Sequence, residues 1–132
     1  MPQIFRVHQI ILDEALADLI NKEGWECHPK AMAYMAAIHT GQVKLGVENR
    51  CYSHVSSVVA DDLEHVYEVC NIGPEDRITK HARCRSLGVG DIVENMDGDY
   101  FAVANVGFTP LSPTLQKFME YFDTLDRELT CA

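Results

Sequence analysis

The stretch from Ser86 to Phe108 constrains the fold of this 132-residue chain most strongly. Two β-rich runs flank Asp97-Gly98, a dipeptide typical of a two-residue type I′ turn, in which both central residues adopt positive φ. Apolar residues then alternate on both faces of the outgoing run, which predicts a strand that is covered on both sides. One face carries Tyr100, Ala102, Ala104, Val106 and Phe108, and the other carries Phe101, Val103 and Asn105.

The rest of the chain alternates between helical and β periodicity. Predicted strands cover residues 3–11, Val43–Val47 and Cys51–Val59. Predicted helices run from Leu12 to Gly24, from Pro29 to His39, from an Asp61 cap to Asn71, and over residues 112–129, with a short helical turn between Pro74 and Lys80. These elements predict a single α+β domain over residues 1–132, with a mostly antiparallel sheet and about four helices.

The buried faces of two helices follow from residue spacing. For the helix that begins at Pro29, two overlapping stripes remain open, one of Met32, Met35, Ala36 and His39 and one of Ala31, Tyr34, Met35 and Ile38. For the helix after Asp61, the predicted stripe is Leu63, Val66, Tyr67 and Cys70.

Composition narrows the class of protein. Twenty acidic and eleven basic residues give a net charge of −9, which disfavours direct binding to nucleic-acid phosphates. No apolar run approaches the ~18 residues of a membrane helix, and acidic residues come too early for a secretory signal. We therefore expect a cytoplasmic protein, with its five cysteines as free thiols because none forms a CxxC pair.

Acidic residues are concentrated in two parts of the sequence. Between Asp61 and Asp76 the chain has no lysine or arginine, and the hairpin region adds further carboxylates. If the helix lies beside the hairpin, these residues form one acidic face for a partner; otherwise they form an ordinary solvated surface. The candidate partner-binding residues are Asp61, Asp62, Glu64, Glu68, Glu75, Asp76, Asp91 and Glu94, with Asp97 and Asp99 nearby.

A basic cluster precedes the hairpin and supplies the alternative site. It could bind a phosphate or an acidic group, or it could be a solvated loop paired with neighbouring acids. A Val-Gly-Asp-Ile-Val turn also opens many small β-barrels, so a β-module that binds a nucleic acid, a peptide or a small ligand is the rival interpretation. Its candidate residues are Arg77, Lys80, His81, Arg83 and Arg85.

Catalytic patterns are weak in this sequence. Gly88-Val89-Gly90 leads into a strand instead of a helix, so it lacks the dinucleotide-binding context. His81-x-x-Cys84 is one ligand pair, whereas structural zinc sites normally show two. Cys84 is the one thiol with basic neighbours that could lower its pKa. We predict no catalytic residues, metal or cofactor, with a thiol or metal-assisted enzyme as the remaining exception.

Part of the chain resembles a known family. A helix with Tyr67 that ends at Asn71, the run Ser86-Leu87-Gly88-Val89-Gly90-Asp91-Ile92-Val93 and the pair Gly107-Phe108 together resemble the YodL-like family of small bacteriophage and mobile-element proteins. Gly88 stands where that family commonly has serine. The resemblance covers residues 61–108 and brings no catalytic residues. It implies an accessory protein that acts by binding a host protein.

The leading hypothesis is therefore a phage or mobile-element protein that binds and modulates or inhibits a host protein. A DNA-mimic-like acidic face would suit a host nucleic-acid enzyme, such as a DNA topoisomerase or RNA polymerase, since it would compete with DNA. The Met- and Phe-rich last helix also offers a face for a homodimer.

Overall fold

The computed structural model describes residues 2–131, with the side chains of residues 2–126. The described residues form one six-stranded antiparallel sheet in the order β3-β2-β1-β4-β5-β6, together with five helices. The strands are β1 (Gln3–Gln9), β2 (Ser53–Ala60), β3 (Ile78–Lys80), β4 (Ile92–Glu94), β5 (Tyr100–Val103) and β6 (Phe108–Pro110). The helices are α1 (Glu14–Glu23), α2 (Pro29–Thr40), α3 (Lys44–Glu48), α4 (Leu63–Asn71) and α5 (Pro113–Cys131). This confirms the predicted α+β class and the antiparallel sheet.

Each face of the sheet carries its own hydrophobic core, because successive strand residues point to opposite sides. On β1, Phe5 and Val7 join one core, whereas Ile10, just after the strand, joins the other. The first core also takes Val55, Val58, Val93 and Val103 from the sheet, and Val66 and Val69 from α4. The second packs Ile92, Tyr100 and Ala102 against residues of α2, α3 and α5.

Gly41 and Ser112 lie at the helix ends that the sequence predicts, whereas α1 begins at Glu14 and not at Leu12 because Asp13 is its cap. The Asp13 side chain caps α1 by accepting a hydrogen bond from the Leu16 N–H at 2.7 Å. Gly41 ends α2 in the left-handed conformation, with φ of 72°. Ser112 Oγ accepts from the Leu115 N–H at 3.3 Å, at the start of α5. Local capping chemistry is therefore sufficient to position these ends.

The predicted strand Val43–Val47 is wrong, because Val43 is the N-cap of α3 and the other four residues lie in the helix. Val43 and Val47 are one helical turn apart and both enter the core beneath α5. Gly46 packs closely, since a Cβ atom there would lie 2.6 Å from the Tyr52 ring and 2.9 Å from Ile10. Five residues are too few for periodicity to separate a helix from a strand, so tertiary packing decides.

The hairpin differs from the type I′ prediction. Positive φ is found at Gly98 and not at Asp97, and the Asn95 side chain accepts hydrogen bonds from the backbone N–H groups of Asp97 and Asp99. The connection between β4 and β5 is therefore longer than two residues. The outgoing run is also interrupted after Val103, and it turns into the separate edge strand β6.

Four smaller predictions are also corrected. Asp62, not Asp61, caps α4, by accepting from the His65 N–H at 2.8 Å. The stretch after Pro74 is a single 3₁₀ turn followed by β3. The buried residues of α2 are Ala31, Ala33 and Ala37, so neither proposed stripe describes it. Tyr67, placed in the buried stripe of α4, is 47% exposed.

Gly90 is where α2 approaches the sheet most closely. Its φ is +88°, and a Cβ atom would lie 2.4 Å from the Ala37 carbonyl oxygen and 2.5 Å from the carbonyl carbon. Because these are backbone atoms of a packed helix, a side chain at this position would push α2 away from the sheet.

We expect Gly90→Ala to lower the free energy of unfolding by about 3 kcal/mol or more, measured by urea denaturation. Gly98→Ala is the matched control, because Gly98 has φ of +84° but no atom within 4 Å of the added Cβ. The free energy of unfolding of this control should fall only by the cost of a side chain at positive φ, about 1–2 kcal/mol. Equal losses in the two variants would contradict the close packing at Gly90.

Candidate functional site

Arg6, near the middle of β1, is the centre of a network of polar side chains beneath α5. Its Nη1 donates to Glu94 Oε1 at 3.1 Å and to Asp123 Oδ2 at 2.7 Å. Its Nη2 donates to Asp123 Oδ1 at 3.0 Å and to His54 Nδ1 at 3.2 Å. His8 Nε2 lies 3.1 Å from the same Glu94 oxygen. We call these five side chains the Arg6 network.

A β-bulge at Val55 determines which residues of β2 lie on the same face of the sheet as Arg6. Val7 pairs with Ser56 but His8 pairs with His54, so Val55 is the extra residue. Directly opposite residues of an antiparallel pair share a face, and Ser57 pairs with Arg6. The bulge therefore brings His54 and Ser57, three residues apart, to the same side of the sheet as Arg6 and His8.

The contacts of His54 fix its protonation. A guanidinium can only donate, so His54 Nδ1 accepts from Arg6 and carries no proton. The proton of the neutral ring is then on Nε2, which donates to the Ser56 carbonyl at 3.0 Å. Burial, followed by the charge of Arg6, lowers the pKa of His54 to about 4. His54 is therefore neutral at pH 7.

The same bulge holds His81 next to this ring. The Val55 carbonyl accepts hydrogen bonds from the backbone N–H groups of His81 at 2.9 Å and Ala82 at 3.3 Å. The His54 and His81 rings lie 4.7 Å apart between centroids. Ser57 Oγ lies 3.3 Å from His54 Nε2 and 2.9 Å from His81 Nε2. A continuous line of hydrogen bonds thus runs from partly buried Arg6 to exposed His81.

A cavity of about 560 Å³ lies between this face of the sheet and the helices α3 and α5. We call it the polar cavity. Its lining comprises Arg6, His8, Tyr52, Ser53, His54 and His81 from the sheet region, Gly46, Val47 and Arg50 from the α3 region, and Met119, Phe122, Asp123 and Asp126 from α5. A volume of this size is typical of small-molecule sites.

Four of the predicted or neighbouring acidic residues meet elsewhere, around an open depression of about 640 Å³. Asp61, Asp62 and Glu64 come from the start of α4, and Asp97 comes from the hairpin. The lining also includes Phe5, Phe101 and Phe108, and no lysine, arginine or histidine of the described chain. We call this surface the acidic depression.

The other predicted acidic residues lie apart from it. Glu68, Glu75 and Asp76 are exposed but do not line the acidic depression. Asp91 is 0% exposed and Glu94 is 7% exposed, so neither belongs to an exposed acidic face. Each instead pairs with an arginine, because a buried carboxylate needs a charged or hydrogen-bonding partner.

The predicted basic segment is divided between different surroundings. Arg85 turns inward, where its Nη2 donates to Asp91 Oδ1 at 2.6 Å. Asp91 Oδ2 accepts from Gly88 N at 2.9 Å and Gln9 Nε2 at 3.0 Å. Burial raises the pKa of Asp91 to about 6 although these donors oppose the shift. Arg85 is therefore a structural partner of Asp91.

The remaining basic residues have different contacts. His81 lines the polar cavity, whereas Lys80 and Arg85 line a separate cavity of about 290 Å³. The side chains of Arg77, Lys80 and Arg83 make no hydrogen bond or ion pair with the described residues. That residues 77–85 bind a phosphate or another ligand stays a prediction.

Thiol and metal chemistry have little support in the described residues. Cys27, Cys51, Cys70 and Cys84 are free thiols, and the Cys131 side chain lies outside the described part. Burial raises the pKa of Cys70 to about 11, which keeps this thiol protonated. No group of three or more His, Cys, Asp or Glu residues in the described chain is arranged to hold a metal ion.

The chain matches no protein-family model, no characterised protein and no solved structure. The resemblance to the YodL-like family therefore stays a prediction. No helix in the described part of the chain is long and apolar enough to cross a membrane.

Acidification should destabilise the fold through His54. Its pKa is about 4 when folded and about 6.5 when unfolded. The unfolded chain therefore binds the proton first, and this contribution to stability is lost as the pH falls from about 6.5 to 4. Asp91, with its raised pKa, acts in the opposite direction, so a His54 variant is needed to separate the two.

We expect an NMR titration of the His54 ring to give a midpoint near pH 4. His54→Gln should lose less stability than the wild type between pH 7 and 4.5 in urea denaturation. A ring midpoint near 6.5, or equal losses in the two proteins, would contradict the assignment of a neutral His54.

Proposed function

We propose that this chain is a protein-binding module whose acidic depression docks a basic segment of a partner protein. The observation that carries the proposal is the convergence of Asp61, Asp62, Glu64 and Asp97 around a concave, aromatic-lined surface. Two separate parts of the sequence, the start of α4 and the hairpin, supply these carboxylates.

Electrostatics favours a basic partner at this surface. Like charges in a concave surface with low-dielectric walls focus the potential, which raises the association rate of an oppositely charged partner. The net charge of −9 adds to the same field. Both the carboxylates of the acidic depression and the net negative charge would repel nucleic-acid phosphates.

The aromatic lining adds an apolar contact. Phe101 and Phe108 are partly exposed, and Phe5 lies behind them in the core. Protein interfaces combine a central apolar anchor with a charged rim. The partner segment should therefore carry lysine or arginine around an aromatic or aliphatic side chain.

Not every carboxylate here is free to act on a partner. Asp62 accepts the His65 N–H and caps α4, so its role is at least partly structural. Asp61, Glu64 and Asp97 are exposed and are the residues to change in a test of binding. Glu68 lies one turn beyond Glu64 on the same side of α4 and extends the negative surface.

The finer identity of the partner rests on the family resemblance alone. A phage or mobile-element protein with this surface would act on a host protein, and a host enzyme with a DNA-binding groove, such as a topoisomerase or RNA polymerase, presents the basic residues that the acidic depression requires.

The test compares two triple variants with the same change of charge. Asp61→Lys/Glu64→Lys/Asp97→Lys reverses the acidic depression, whereas Asp18→Lys/Glu23→Lys/Glu26→Lys reverses exposed acids on and just after α1. Each is used with the wild type to retain proteins from nuclease-treated lysate, followed by mass spectrometry and circular dichroism of each variant.

We expect a protein that the wild type and the α1 variant retain and that the depression variant loses by at least tenfold while staying folded. Equal retention by both variants would contradict the proposal. Equal loss from both would show that net charge, and not the acidic depression, controls binding.

A further inference from the structure

The polar cavity has a separate chemistry from the acidic depression. Inside it, Arg6 is fully engaged with Glu94, Asp123 and His54. Arg50, at the other side, makes one side-chain hydrogen bond to the described residues, from Nη2 to Asp126. Its side chain is 38% exposed, and its Nε and Nη1 make no hydrogen bond to the described residues.

His81 contributes a second polar group to the cavity that it lines. Ser57 Oγ lies 2.9 Å from His81 Nε2 and accepts from the protonated His54 Nε2 at 3.3 Å. When the Ser57 hydroxyl donates to His81 Nε2, the proton of the neutral His81 ring is on Nδ1, which is then the donor for a ligand.

The end of α3 fixes the backbone at Arg50. Its φ is 53°, and it is the one residue other than glycine with positive φ in the described chain. The Cys51 N–H donates to the Gly46 carbonyl at 2.8 Å and the Arg50 N–H to the Val47 carbonyl at 3.2 Å, so Arg50 is the left-handed residue that ends the helix. Glycine would be compatible with this conformation.

The walls provide an apolar surface beside these donors. Val47, Met119 and Phe122 line the cavity, and the Arg50 guanidinium lies 5.5 Å from the centroid of the Phe122 ring. A ligand that fills this space would have an apolar or aromatic part against Phe122 and an anionic group against Arg50.

The ion pair with Asp126 shows that the Arg50 guanidinium can bind a carboxylate. The pair is exposed, with 38% and 56% of the two side chains accessible, and exposed ion pairs contribute little stability. An incoming anion can therefore compete with Asp126 for Arg50. Because the anion group need only supply acceptor oxygens, a carboxylate and a phosphate monoester satisfy the same donors.

We propose that the polar cavity binds a small organic anion, whose carboxylate or phosphate is held by Arg50 and His81 and whose apolar part packs against Val47, Met119 and Phe122. Binding here does not depend on the acidic depression, so either proposal can fail without the other.

The test uses phenyl phosphate and benzoate as probes, with benzyl alcohol and benzylamine as the uncharged and cationic counterparts. Binding is measured by NMR titration of the wild type, Arg50→Gly, His81→Ala and Arg83→Ala. Arg83 is the matched control because it is exposed, basic and close in sequence to His81 but does not line the cavity.

We expect saturable binding of at least one anion, with shifts of the His81 and His54 signals. Arg50→Gly should weaken it at least tenfold and His81→Ala several-fold, whereas Arg83→Ala should leave it unchanged. Glycine suits the positive φ at this position, so thermal unfolding should show a folded variant. The preferred anion separates a carboxylate from a phosphate ligand.

A complementary variant protects the test against misfolding of Arg50→Gly. Asp126→Asn keeps Arg50 and removes the competing carboxylate, so the anion should bind more tightly. The proposal is overturned if neither anion binds saturably, if benzyl alcohol or benzylamine binds equally well, or if Asp126→Asn leaves the affinity unchanged or weaker.

Discussion

The pairing of Arg6 with Asp123 is the interaction on which this side of the molecule depends. The two side chains are 20% and 12% exposed, so both charges are largely removed from water, and such a charge without its partner is strongly destabilising. Arg6 also reaches Glu94 on β4 and His54 on β2. A single guanidinium thus ties three strands to α5.

The polar cavity is a consequence of this arrangement. The Arg6 network occupies the sheet face where a hydrophobic core would otherwise continue, and α5 spans it through Asp123. Apolar residues of α5, including Met119, complete the core beside it. The bulge at Val55 adds His54 and Ser57 to the same face. The cavity therefore results from polar residues that need partners and from a helix that reaches across them.

Local signals predicted much of the fold but little of the polar cavity. Caps such as Gly41 and Ser112 act within a few residues, so the sequence shows them directly. Arg6 and Asp123 are 117 residues apart, and no periodicity marks their contact. The alternation of Arg6 and His8 in an apolar strand was the available signal. The bulge interrupts the alternation of β2 side chains between the two faces of the sheet. The pairing register with β1 is therefore needed to show which residues of β2 face the cavity.

The sequence predicts part of the acidic depression, because this surface depends on where acidic residues are concentrated in the chain. Asp61, Asp62 and Glu64 lie close together in sequence, and the sequence predicts the hairpin that carries Asp97. Placing the two groups side by side requires only the assumption that the helix packs beside the hairpin. Asp91 and Glu94 differ from these three residues, because the burial of β4 decides whether their side chains reach solvent. A carboxylate next to a strand end looks the same in sequence whether it faces solvent or an arginine.

The central claim, that Arg6 fixes α5 over the sheet, is tested most directly by a double-mutant cycle with Arg6→Met and Asp123→Asn. Urea denaturation of the wild type, both single variants and the double variant gives the pairwise coupling. We expect about 1.5 kcal/mol or more, as for close charge pairs removed from water. Single-variant losses that add to within about 0.5 kcal/mol would contradict the claim.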